Sequence, residues 1–274
     1  CYDSKREAYK WDEQSDVDSL FDQRLSSIVL PENVKIKKEL LYDQYTLEDV
    51  YPYKDTTRVF QWDKFRPRLA MLENLQRDRK RLGVLQNYKN RNGQSALVSN
   101  YKIDAYNKVA DTLGVERYQS VALYAPGDSL IAVRYGRDGS LVRYIKDSAD
   151  YVKVASLMFD GEWYTPKKYV KEISDTVVLN KAIFIDVTNQ NIASLEYADS
   201  TWLVRSMNPA TTGRHLPPYA QETPVGIFVI QEKKNPMVFL KDGSLTEVGG
   251  FASYASRFTN GAYVHGVPVN APRT

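Results

Sequence analysis

Ala182-Ile183-Phe184-Ile185-Asp186-Val187-Thr188-Asn189-Gln190-Asn191-Ile192-Ala193-Ser194-Leu195-Glu196-Tyr197 reads as two strands around a tight turn. Both arms are rich in β-branched and aromatic residues, and Asn189-Gln190-Asn191 tolerates the backbone of a reversal. A third strand is expected over 201–207. A long loop over 208–221 follows, punctuated by Pro209, Gly213, Pro217 and Pro218, then strands at 227–230 and 238–240. From Val177 onward the chain therefore reads as β-rich.

Upstream, short β-branched and aromatic runs at 120–125, 130–135, 141–145 and 151–154 precede Gly161-Glu162-Trp163-Tyr164-Thr165-Pro166 and residues 167–173. Gly136-Arg137-Asp138-Gly139 carries a hairpin signal. Five short strands in so few residues predict a small barrel. Before residue 115 the pattern is helical. Val17, Leu20, Phe21, Leu25 and Ile28 recur at helical spacing. Trp62, Phe65, Leu69, Leu72, Leu75 and Leu82 share one helical face, with Pro67 placing the regular part from about Arg66. Ile103, Tyr106, Val109, Ala110 and Leu113 predict a further helix ending at Gly114. The expected organisation is a polar tether over 1–15, a mainly helical region over 16–114, a β domain over 115–175 and a second β domain over 176–274. The fold class is α+β.

Composition excludes several classes. With 37 basic and 34 acidic residues among 274, a net charge of +3 is too balanced for nucleic-acid binding. No run of about 18 apolar residues is present to span a membrane as a helix. The sole cysteine is Cys1 and the two histidines are His215 and His265, which leaves no disulfide framework, no cysteine zinc site and no histidine-rich metal site. The 20 tyrosines suit half-buried sheet faces and surfaces that stack on sugars.

Four pieces occur in a fixed order: the opening strand Ile183-Phe184-Ile185-Asp186-Val187-Thr188-Asn189-Gln190; a strand leading to Thr212-Gly213; Thr223-Pro224-Val225-Gly226-Ile227-Phe228; and an aromatic-rich strand with Tyr254 and Phe258 ending in Gly261-Ala262-Tyr263-Val264-His265-Gly266. In that order they resemble the catalytic domain of the L,D-transpeptidases, the YkuD-like cysteine enzymes that cross-link peptidoglycan. Residues 115–175 resemble a bacterial SH3-like domain through strand spacing and Trp163-Tyr164. Trp163 is either a barrel-core aromatic or a contact for glycan or peptide.

The resemblance implies an incomplete all-β YkuD-like domain over 176–274 and a cysteine acyl transferase acting on stem peptides, with no cofactor and no metal. His265 matches the family's proton-shuttling histidine, and Gly266 supplies the carbonyl that orients its ring. Tyr254 and Phe258 either wall the substrate cleft or pack in the core. Arg214 and Tyr219, in the loop with His215, would border the cleft; His215 itself reads as a surface residue. The family's nucleophilic cysteine lies beyond such a His-Gly and has no counterpart in this sequence, so these 274 residues alone are expected to be inactive. Cys1 is an unusual first residue. In an envelope protein it reads as a lipidated cysteine on a polar tether, facing the periplasm or cell wall; the alternative is a chain boundary without biological meaning. A non-catalytic wall-binding lipoprotein is the competing function, and a purely structural envelope protein a third.

Overall fold

A computed structural model describes residues 34–78, 80–93, 101–110 and 116–270. The tether, the helix expected over 17–28 and Cys1 lie outside the described residues. The fold is mainly β with one α-helix among the described residues, and no sheet there closes into a barrel. The chain forms two compact units. One draws on Leu25–Lys80 and Ser174–Arg214, the other on Arg81–Ile173 and His215–Thr274.

In the first unit the expected hairpin forms, Lys181–Asp186 against Asn191–Ala198. Its turn is built by Asp186, whose Oδ1 accepts the N–H groups of Thr188 and Asn189, each at 2.9 Å, while Gln190 takes φ 52°. Thr201–Pro209 extends the sheet antiparallel, and Ile36–Lys38 adds to it in parallel. Between Ser194 and Leu195 the register shifts by one residue, leaving Arg205 as the bulged residue opposite. This changes the inward spacing from Trp202 and Val204 to Met207, so all three side chains reach the core.

The helix Trp62–Arg77 covers that inward face. Phe65 stacks on Phe184 with ring centroids 4.3 Å apart, and Leu69 and Ala70 are buried. Trp202 is fully buried, and its indole N–H donates to Glu73 at 2.9 Å. The helix starts one turn earlier than Pro67 suggests. Proline at its sixth residue deletes a single N–H, and Phe65 N–H still bonds the Gln61 carbonyl at 3.0 Å.

Leu82 does not belong to the helix. Leu82–Leu85 is a strand buried throughout, and a short continuous apolar run fits a covered strand better than one helical stripe. It lies between Leu141–Ser148 and Val170–Ile173 in a five-stranded antiparallel sheet that continues through Tyr151–Ser156 to Glu162–Pro166. The block expected over 115–175 therefore takes a strand from outside itself. The helix expected over 103–113 is also absent from its described part. Lys102–Ile103 and Val109–Ala110 pair instead, because Asp104 Oδ1 accepts the N–H groups of Tyr106 and Lys108, each at 2.9 Å, and Asn107 is left-handed. The mainly helical region expected over 16–114 thus reduces, where described, to one helix.

Gly136-Arg137-Asp138-Gly139 does not close a hairpin. Arg134–Arg137 pairs with Ser120–Leu123, whereas Leu141–Ser148 belongs to the five-stranded sheet. Tyr124 and Tyr164 join these two sheets by reciprocal backbone bonds of 2.8 and 2.9 Å. Expected as a strand, residues 227–230 make one bridge, Phe228 with Ser140, beside Glu232–Lys234, Ala255–Thr259 and Ala262–Val264, which form a three-stranded sheet.

Trp202→Ala should cost about 3–5 kcal/mol, since it removes the largest fully buried side chain in its core. Ile183→Ala, on the outward face of the same sheet, should stay within about 0.5 kcal/mol. Urea unfolding followed by circular dichroism distinguishes the two, and similar losses would contradict the assigned strand faces.

Candidate functional site

His265 immediately follows the strand Ala262–Val264 and is exposed. Its Nδ1 lies 2.8 Å from the Gly266 carbonyl oxygen. A ring nitrogen facing a carbonyl must carry the proton, so Nδ1–H donates and Nε2 is left with its lone pair. Gly266 is itself fixed: its N–H donates to the Ser253 carbonyl at 2.8 Å, and Phe251 and Val269 exchange two backbone bonds of 2.8 Å. A Cβ on Gly266 would approach Ser253 O to 3.3 Å, so glycine permits this close docking. The imidazole is thereby oriented by main chain, which depends on local backbone more than on a partner side chain.

The other expected residues divide. Phe258 is buried and packs on Phe228 at 5.6 Å, so of its two readings the structure gives core packing. Gly226 lies at φ 151°, a backbone conformation that L side chains rarely adopt, so the Thr-Pro-x-Gly-x-Phe piece needs its glycine for the backbone, close to the side-chain ends of Phe228 and Met158. Tyr254 is largely exposed beside Ser253, with its N–H on Asn235 Oδ1 at 3.2 Å. Tyr219 is exposed in the turn closed by Leu216 and Ala220, and Arg214, also exposed, belongs to the other unit. Trp163 is half-buried against the core of the five-stranded sheet, with Arg134 over its ring at 5.2 Å. His215 is exposed, as expected, and its Nδ1 lies 2.6 Å from Glu222 and 3.0 Å from the Tyr106 hydroxyl.

Sequence reasoning missed the charged cluster beneath the His265 hairpin. Asp138 is completely buried and accepts from Arg257 at 2.7 Å, Asn87 N–H at 3.0 Å and Asn260 N–H at 3.2 Å. Arg257 lies over the Tyr88 ring at 4.1 Å and reaches Glu232 at 3.4 Å. Tyr263 donates to Glu232 at 3.2 Å and accepts from Lys234 at 3.3 Å. Burial holds the Asp138 carboxyl above its ordinary value, and Arg257 only partly offsets this. For Glu232 burial also pushes upward, but Lys234, Tyr263 and Arg257 together bring it below the usual carboxylate value. An Asp-Gly pair in a turn and an Arg in a strand both read as solvated, and nothing in their spacing marks them as partners.

Among the described residues no group of three or more His, Cys, Asp or Glu could hold a metal ion. No helix there is long and apolar enough to cross a membrane. Comparison with family models, curated proteins and solved structures finds no match to this chain.

Asp138→Ala should cost about 3–5 kcal/mol by stripping the buried Arg257 of its closest carboxylate, with only Glu232 at 3.4 Å left to it. The pH dependence has a definite sign. The folded chain holds the Asp138 proton more tightly than the unfolded chain does. Stability from this group is therefore complete below the ordinary carboxylate pKa and is lost as pH rises through the raised one. Asp138→Asn should flatten that stretch of the stability curve. Urea midpoints of both proteins across this range provide the check, and parallel curves would contradict the assignment.

Proposed function

We propose that this chain is part of a peptidoglycan L,D-transpeptidase-type enzyme of the cell envelope, a cysteine acyl transferase acting on stem peptides, with His265 as its proton carrier. The observation that carries the reading is the 2.8 Å contact between His265 Nδ1 and the Gly266 carbonyl. It fixes the tautomer in which Nε2 can take a proton from a thiol, stabilise the thiolate as an imidazolium and return the proton to a leaving amine. The Thr223–Phe228 piece and the His265-Gly266 ending, two of the four that carry the resemblance, belong to the same compact unit. The SH3-like character of 115–175 and the YkuD-like character of 176–274 are parts of this reading. The segment 176–274 is shared between the two units, so the reading assigns catalysis to the unit holding 215–270. The nucleophile would be a cysteine that these residues do not supply, and the 274 residues alone should not catalyse transfer.

A second reading, a non-catalytic wall-binding lipoprotein, gains from the placement of the expected cleft residues. Phe258 is in the core, whereas Tyr254 and Tyr219 are exposed aromatics able to stack on glycan.

In the protein as its native gene encodes it, His265→Ala should slow acyl-enzyme formation with a stem-peptide donor by about 10²–10⁴, the usual worth of general acid–base help. His215→Ala should change it little. Mass spectrometry of the labelled protein measures both. Near-normal labelling of the His265→Ala protein contradicts the mechanism, and peptidoglycan binding with no labelling of the unmutated protein favours the second reading.

A further inference from the structure

His215 and Glu222 flank the turn in which Leu216 and Ala220 exchange backbone bonds of 3.0 and 2.9 Å. His215 Nδ1 lies 2.6 Å from Glu222 Oε1. An ionised carboxylate only accepts, so Nδ1 carries a proton and donates it. The Tyr106 hydroxyl completes the set. It donates to Glu222 Oε2 at 2.9 Å, and its oxygen lies 3.0 Å from the same Nδ1. The Tyr106 ring meets the imidazole edge-on, with centroids 6.0 Å apart. Tyr106 comes from a hairpin 109 residues away in sequence.

That hairpin is small: Lys102–Ile103 pairs with Val109–Ala110, and both residues of the first strand are exposed. Two strands without a third are marginal in water. The Arg117 N–H ties the base of the hairpin through the Val109 carbonyl at 2.9 Å, and Tyr106, toward its tip, reaches the 215–222 loop. An exposed ion pair adds little to the stability of a whole fold, but it shifts a local equilibrium that is already close to balance.

We propose that Tyr106, His215 and Glu222 form a pH-sensitive clasp, which holds the 102–110 hairpin against the 215–222 loop in mildly acidic solution and loosens as His215 loses its charge. Among the described residues, the titratable groups facing His215 are Glu222 from its own loop and Tyr106 from the hairpin. Of the other charged groups on the hairpin, Asp104 spends Oδ1 on the N–H groups of Tyr106 and Lys108, and the Lys108 ammonium acts on Glu116. Protonated His215 makes a charge-assisted bond, about twice as strong as a neutral one. That contribution is present at low pH and is lost as pH rises through the imidazole range. Glu222 acts with the opposite sign. Burial pushes its carboxyl up, but its own N–H, Tyr106 and His215 together bring it below the ordinary value. Its contribution is complete above the ordinary carboxylate pKa and is lost as pH falls through the lowered one. The clasp is therefore firmest between the two titrations. It stands or falls independently of the proposed activity.

The test is amide hydrogen exchange followed by NMR on the full chain, corrected for the intrinsic exchange rate. It is read at Asp104 and Asn107, whose N–H groups bond within the hairpin. From about pH 5.5 to 7.5 Glu222 stays ionised and Tyr106 neutral, so His215 is the member of the clasp that titrates. Protection at both amides should fall about two- to five-fold across this range, the worth of an exposed charged pair. His215→Gln, which still donates to Glu222 but takes no charge, should hold protection flat near the alkaline level. Glu222→Gln should lower the protection and flatten it, whereas His265→Gln should keep the profile of the unmutated chain. A profile independent of pH in the unmutated chain, or a fall that survives in His215→Gln, would overturn the proposal.

Discussion

A carboxylate with no exposed surface must be satisfied where it lies or take up a proton, and Asp138 meets this constraint at the point where three segments converge. Its side chain collects the N–H of Asn87, the guanidinium of Arg257 and the N–H of Asn260, and its own carbonyl accepts the Thr259 hydroxyl. These partners lie in the loop after Leu82–Leu85, in the strand Ala255–Thr259 and in the turn that follows it. Next to Asp138, Gly139 brings its backbone so close to Phe258 that a Cβ would meet Phe258 O at 1.9 Å. The 136–139 turn is thus a packed junction. Removing Arg257 would leave the buried carboxylate without that cation, and removing Asp138 would leave Arg257 with Glu232 alone.

The geometry at His265 follows from that junction. Arg257 pairs across the hairpin with Tyr263, so the residue that neutralises Asp138 also fixes the register of the strand leading to His265. From there the chain is pinned by backbone alone, through Gly266 to Ser253 and Val269 to Phe251. An imidazole held by a main-chain carbonyl keeps one tautomer, with its proton on Nδ1. That suits a group that must accept a proton and release it again.

The sequence was most legible where side-chain periodicity and local turn chemistry agree. The hairpin at 182–197 is rich in β-branched and aromatic residues, and its turn is made by residues within it, so local composition and turn chemistry found it. Trp62 to Leu75 was legible as a helix by its periodicity, but its end was not: Leu82 continues the helical spacing although the chain has already entered a strand. Asp104 shows the opposite failure, a helical apolar pattern broken by one side chain that captures two backbone N–H groups. Arg205, the bulged residue, carries no mark of the register shift. Asp138 and Arg257 are 119 residues apart in sequence and form one contact. Long-range pairing of this kind leaves no local signal. His265 and Gly266 were singled out by motif order, and their contact is local enough for adjacent residues to specify it.

The account turns on which nitrogen of His265 carries the proton. Nitrogen-15 NMR of the ring, recorded on the folded chain above the imidazole titration with His215→Gln used for assignment, reads this directly. The predicted result is protonated Nδ1 and bare Nε2, with the Nδ1–H signal lost when the chain is unfolded. A folded chain whose His265 carries its proton on Nε2 would contradict the orientation by Gly266, and with it the role proposed for this histidine.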